Sequence, residues 1–171
     1  FRSAVVVESP HLDSAAAMAR LCSEKRDWTG ALQAYAAIGA CATEGSQRVE
    51  AWTASAQIVL RHQRDRMMAS VHYERVLQDD SENLEALRYL CKHAYDAANL
   101  ERALQLCDVL APNAASGKDL DDFDVRMELA DFHAMHGRLR IGVDATKEAI
   151  QSFERSLELN ASHRGALESS G

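Results

Sequence analysis

Small and apolar residues recur along this chain at helical spacing. In "KEAIQSFERSLELNAS", residues 147–162, Ala149, Phe153 and Leu157 stand four apart, and Ala69, Tyr73 and Leu77 repeat that spacing in "ASVHYERVLQDDSEN". Residues four apart share one face of an α-helix, so both stretches read as amphipathic helices, the first of them complete with a stop. Leu87, Leu90 and Ala94 mark another helix, and Leu100, Ala103, Leu104, Cys107 and Leu110 the next. Only Pro10 and Pro112 interrupt the chain, and β-branched residues are sparse beside Ala, Leu, Glu, Arg and Gln. The pattern predicts an all-α protein.

The helices come in pairs. In "LEALRYLCKHAYDAANLERALQLCDVLAP" a first helix carries Leu87, Leu90, the small Cys91 and Ala94; a polar turn carries Asn99; a second helix carries Ala103, Cys107 and Leu110. Another pair offers Ala15, Met18, Ala19 and Cys22, then Trp28, Ala31, Leu32 and Tyr35. The next offers Trp52, Ala56 and Val59, then Ala69, Tyr73 and Val76, with one extra residue placed in the turn. The last sets Leu129, Ala130 and the turn glycine Gly137 against Ala149, Ile150, Phe153 and Leu157. This joint pattern resembles the tetratricopeptide repeat (TPR), a 34-residue helix–turn–helix unit. The resemblance implies a right-handed α-solenoid of antiparallel helix pairs, a TPR-like superhelix covering most of the chain.

The second-helix alanines Ala31, Ala69, Ala103 and Ala149 are 38, 34 and 46 residues apart. The surplus before Ala149 is assigned to "NAASGKDLDD" and "LRIGVDAT", and seven extra residues are about two helical turns. Both helices of the last pair are therefore expected to be lengthened across 138–146. The resulting division is 12–45, 49–82, 83–112 and 123–161 for the four pairs, with 113–122 as a linker. Residues 1–9 read as the tail of a preceding helix and 162–171 as the start of a further one, as in a segment of a longer array.

Size contrast explains why such pairs close. Small Ala19, Ala56, Cys91 and Ala130 let helices approach, while Tyr35, Tyr73 and Phe153 fill space toward the next pair. Asp27, Asp65 and Asn99 sit between helices, where they can cap the following one, and Pro112 opposes continuation of the third pair's second helix.

Net charge is −7, with acidic and basic residues interspersed, which argues against nucleic acid as a partner. No apolar run reaches the roughly 18 residues that span a bilayer, so no membrane partner is expected. Cys22, Cys41, Cys91 and Cys107 lack CxxC spacing and fit free thiols in a reducing, cytoplasmic compartment, although spacing alone does not decide against a disulfide.

Candidate chemistry is thin. His133 and His136 share a helix side, but no further ligand pattern accompanies them, so neither metal nor cofactor is expected. "ASGKD" lacks the first glycine and the hydroxyl residue of a phosphate-binding loop. The run Asp119, Asp121, Asp122 and Asp124 lacks the glycine and terminal glutamate of a calcium loop. Glu128, Glu154 and Glu158 read as ordinary solvated charges. No catalytic constellation is visible, and the chain is read as a non-enzyme.

In TPR arrays the first helices line a concave groove that receives a peptide or protein segment. Carried onto this chain, that resemblance implies groove residues Arg20 and Glu24 in the first pair, Gln57 and Arg61 in the second, Arg88, Lys92 and Tyr95 in the third, and Asp131 in the fourth. Arg88 and Lys92, four apart, suit an acidic group on the ligand, unless Glu85 and Asp96 already balance them. The family's carboxylate clamp is not matched, since Ala16 and Arg20 stand at its positions. The reading is a protein-interaction scaffold. Alternatives are a substrate-positioning or regulatory segment of a larger enzyme, and a structural solenoid that self-associates through its ends.

Overall fold

A computed structural model describes residues 10–111 and 123–169, and the regular structure among them is helical. Helices α1 (Pro10–Glu24) and α2 (Trp28–Cys41) form the first pair; α3 (Gly45–Ile58), which runs into a π-helical turn (Val59–Gln63), and α4 (Arg66–Asp79) form the second. Then come α5 (Leu84–Asp96) and α6 (Leu100–Leu110), followed by α7 (Phe123–Ile141) and α8 (Thr146–Ser169). The chain divides into two compact units, residues 1–89 and 90–171, with the boundary inside α5. The expected tail at 1–9 and the linker at 113–122 lie outside the described residues.

One backbone device closes all four pairs. Arg26, Arg64, Ala98 and Asp144 adopt left-handed φ values of 58°, 56°, 58° and 58°. Each stands five residues before a second-helix alanine, Ala31, Ala69, Ala103 or Ala149, and these alanines are 0–2% exposed. A left-handed residue ends the first helix by turning the chain back on itself. The following residue begins the second: Asp27, Asp65 and Asn99 accept the backbone N–H of Gly30, Met68 and Arg102 at 3.0, 2.9 and 3.2 Å. These are the caps that the sequence predicts. In the fourth pair the equivalent residue is Ala145, which has no side-chain acceptor, although its carbonyl still receives the Ala149 N–H at 2.9 Å.

This register corrects the reading of the second and fourth pairs. The small residue facing each second-helix alanine lies twelve positions before it in the first pair (Ala19) and the third (Cys91), and both are buried. Twelve before Ala149 is Gly137. It is an interior residue of α7, not a turn glycine, and a Cβ there would lie 2.8 Å from Phe153 Cζ. Residues 138–141 are helical, and the turn that follows occupies the same station as that of the third pair. The lengthening therefore lies not across 138–146 but in α7 before Gly137 and in α8 after Phe153. There Ser156 Oγ donates to the Ala130 carbonyl at 2.8 Å, two turns beyond the Gly137 contact.

The second pair has one residue more, Ala56 to Ala69. It is accommodated not in the turn but in the π-helical segment of α3, which holds one extra residue per turn. Likewise α8 runs unbroken from Thr146 to Ser169, so 147–162 does not stop and 162–169 continues the same helix.

Within the first unit α2 packs on α3 through Gly39, whose missing Cβ admits the Trp52 indole. Arg48 of α3 donates to the carbonyls of Ala42 and Thr43 at 2.9 and 3.0 Å, satisfying the C-terminal end of α2, and pairs with Asp79 of α4. In the second unit Cys91 and Cys107 are fully buried and unpaired by disulfide, and the Cys91 thiol donates to the Ala103 carbonyl at 3.5 Å. The neighbouring Cys91 and burial both push the Cys107 thiol up, so it serves as a small core residue rather than a reactive one.

Candidate functional site

The first helices are where the resemblance to tetratricopeptide repeats puts a ligand. Their side chains fall into two groups. Arg20, Glu24, Arg61, Lys92 and Asp131 are exposed, and Arg61 stands in the π-helical turn. Gln57, Arg88 and Tyr95 are half-buried.

Within the first unit Gln57 is engaged, donating from Nε2 to Glu85 Oε1 at 2.9 Å. The same carboxylate oxygen accepts the Tyr73 hydroxyl at 2.7 Å. Burial, with the acidic neighbour, raises the Tyr73 hydroxyl far above its ordinary range, which keeps it a donor. The sequence reading offered Glu85 as a partner for Arg88, and the structure gives it to Tyr73 and Gln57. Arg88 Nε is consequently buried without a hydrogen-bond partner among the described residues.

In the second unit the balanced alternative holds for Lys92, whose ammonium lies 3.3 Å from Asp96 Oδ1. An exposed pair of this kind contributes roughly 0.3–0.5 kcal/mol and leaves little net field for a ligand. Of the two cations selected from the sequence, the structure separates one that lacks an acceptor from one that has it.

A polar cluster invisible in the sequence joins α6, α7 and α8. His136 Nε2 lies 3.1 Å from Asp108 Oδ1 and 3.3 Å separates its Nδ1 from Ser152 Oγ. By residue type this is a Ser–His–Asp set, yet its hydrogen bonds oppose nucleophilic chemistry. Arg140 Nε donates to His136 Nε2 at 3.2 Å and also pairs with Asp108. Nε2 can serve only one of these neighbours, donating to Asp108 or accepting from Arg140 according to the tautomer, whereas the Ser152 hydroxyl donates to the Glu148 carbonyl at 3.0 Å. The serine proton is thus directed to a backbone carbonyl and not to the imidazole that would have to remove it. Ser152 is also buried, so the cluster is an interhelical bolt. Asp108 and His136 are 28 residues apart, and no motif spacing reports such a contact.

His133, buried beside Phe132, is held neutral: burial, with help from His136 and Arg155, lowers it to about 4. No three His, Cys, Asp or Glu side chains converge as a metal site among the described residues. Nor, among those residues, is any helix long and apolar enough to cross a membrane.

No family model and no curated protein matches the chain. Solved structures do. The crystal structure of MamA protein aligns with a TM-score of 0.50 at 12% identity, over 88% of this chain and 92% of that one. The MamA RS-1 ArsTM double mutant aligns with a TM-score of 0.51 at 14% identity, over 90% and 97%. The likeness is one of fold. It places the chain among all-α, TPR-like helical-repeat structures of the solenoid class, built from the antiparallel pairs described above.

Proposed function

We propose that this chain is a divergent tetratricopeptide-repeat scaffold that binds a peptide or protein segment on its first helices, rather than an enzyme. The observation that carries the reading is Arg88. The residue is half-buried, its Nε is buried without an acceptor among the described residues, and the nearest carboxylate along its helix, Glu85, is occupied by Tyr73 and Gln57. A buried donor without a partner costs about 1–3 kcal/mol, and a carboxylate brought by a ligand would recover it.

Arg20, Glu24 and Arg61 extend this face within the first unit. Lys92, Tyr95 and Asp131 belong to the first helices of the second unit, where Lys92 contributes less because Asp96 neutralises it.

The test is selection from a displayed peptide library followed by calorimetric titration of a selected peptide. Selected peptides should carry an acidic residue, Arg88→Gln should weaken binding about tenfold or more, and Lys92→Gln should change it less than about threefold. Equal affinities for the parent and Arg88→Gln would overturn the assignment.

A further inference from the structure

The turns of the first two pairs carry a charge pattern that the first-helix reading does not use. Lys25 and Arg26 stand in one turn and Arg64 in the next, and all three are exposed. The two turns lie side by side: the Trp28 ring at the start of α2 stacks on His62 in the π-helical segment, with centroids 3.7 Å apart and planes within 7°. The turn carboxylates Asp27 and Asp65 keep their charge but are directed at the backbone N–H groups of Gly30 and Met68, and Glu24 is the remaining acidic side chain of these turns. No ion pair engages Lys25, Arg26 or Arg64 among the described residues.

Arg26 and Arg64 hold the left-handed backbone that glycine adopts at least cost. The same station in the second unit is filled by Ala98 and Asp144, so the fold does not require arginine there. Arginine at both stations of the first unit is therefore not a backbone requirement, and its long cation is left for another role. Met67, 67% exposed at the start of α4, adds apolar surface close behind Arg64.

We propose that this basic edge of the first unit docks an acidic protein segment. Its carboxylates would pair with Arg26 and Arg64, and an interspersed apolar side chain would lie against the Trp28–His62 stack and Met67. Charge favours a short segment over a long polyanion. The chain carries −7 overall, so a nucleic acid or an anionic bilayer meets repulsion from the rest of the molecule, whereas a few carboxylates sense the local cations within a Debye length of about 8 Å.

The test is fluorescence anisotropy at physiological salt with a labelled dodecapeptide alternating Glu or Asp with Leu or Phe. Its basic counterpart, a labelled oligothymidylate and phosphatidylserine vesicles serve as comparisons. The parent should prefer the acidic peptide. The double variant Arg26→Gly, Arg64→Gly should melt at or above the parent, because glycine suits the left-handed stations, and should bind at least tenfold more weakly. Arg26→Gln, Arg64→Gln repeats the comparison without added backbone freedom. Arg88→Gln should leave this affinity within twofold.

Failure of the parent to bind the peptide, undiminished binding by both double variants, or tighter binding of oligothymidylate or vesicles would overturn the edge. Loss with Arg88→Gln alone would place the peptide on the first helices, overturning the edge while leaving the function proposed above intact.

Discussion

Gly137 of α7 lies against the ring of Phe153 of α8, so closely that a Cβ on Gly137 would fall 2.8–2.9 Å from three ring carbons. Alanine in place of an interior helix glycine ordinarily stabilises by about 0.5–1 kcal/mol. Here the added methyl must displace an aromatic ring wedged between helices, and overpacking costs about 1–3 kcal/mol. Gly137→Ala should therefore lower the melting midpoint, and Gly137→Ala with Phe153→Leu should recover part of the loss. Thermal melting followed by circular dichroism reads both; a rise for the single variant would show that the fourth pair is not in this register.

Ala98 pays for its left-handed φ of 58° without any side-chain compensation. Ala98→Gly should stabilise the protein by about 1 kcal/mol, less the greater freedom of the unfolded chain. At the neighbouring station of the fourth pair, Ala145→Asp should add the missing cap for α8, also worth about 1 kcal/mol. Urea titration measures each. Destabilisation by either would mean that the four turns do not share the geometry described.

Acid should weaken the fold through His133. Its folded value of about 4 lies below the ordinary 6.5, so below pH 6.5 the unfolded chain takes up a proton that the native state refuses. Stability then falls as pH drops from about 6.5 toward 4 and levels off beneath that, with a span on the order of 3 kcal/mol from this group. His136 and His72 are lowered as well, mainly by burial, and act in the same direction. Replacing His133 by Leu should flatten the decline between pH 6.5 and 4 relative to the parent. A parallel decline in both proteins would contradict the neutral, buried state of His133.

Much of this architecture is legible from residue type and spacing because the determining interactions are local. The caps at Asp27, Asp65 and Asn99 act three residues ahead, and the buried alanines recur at a fixed offset from the turns. Glycine is where the pattern became ambiguous: Gly137 carries the same letter whether it bends a turn or admits a ring, and reading it as a turn shifted the fourth pair by two helical turns. The π-helical segment after Ile58 was hidden for a related reason, since an inserted residue looks alike in a helix and in a loop. The partners of the candidate site were less legible still. Glu85 has Arg88 one turn away in sequence, but Tyr73 and Gln57 arrive from other helices and take its oxygen. Helical periodicity names the face on which a charge sits; only tertiary packing decides whether that charge remains available.

If the first helices bind a protein segment around Arg88, such a ligand should protect their backbone from exchange. Hydrogen exchange of the full chain with and without a library-selected acidic peptide tests it most directly. Exchange should slow in α5 and in the segment from α3 through its π-helical turn, and Arg88→Gln should abolish the effect. Protection confined to the second helices α2 and α4, or protection unchanged by Arg88→Gln, would contradict it.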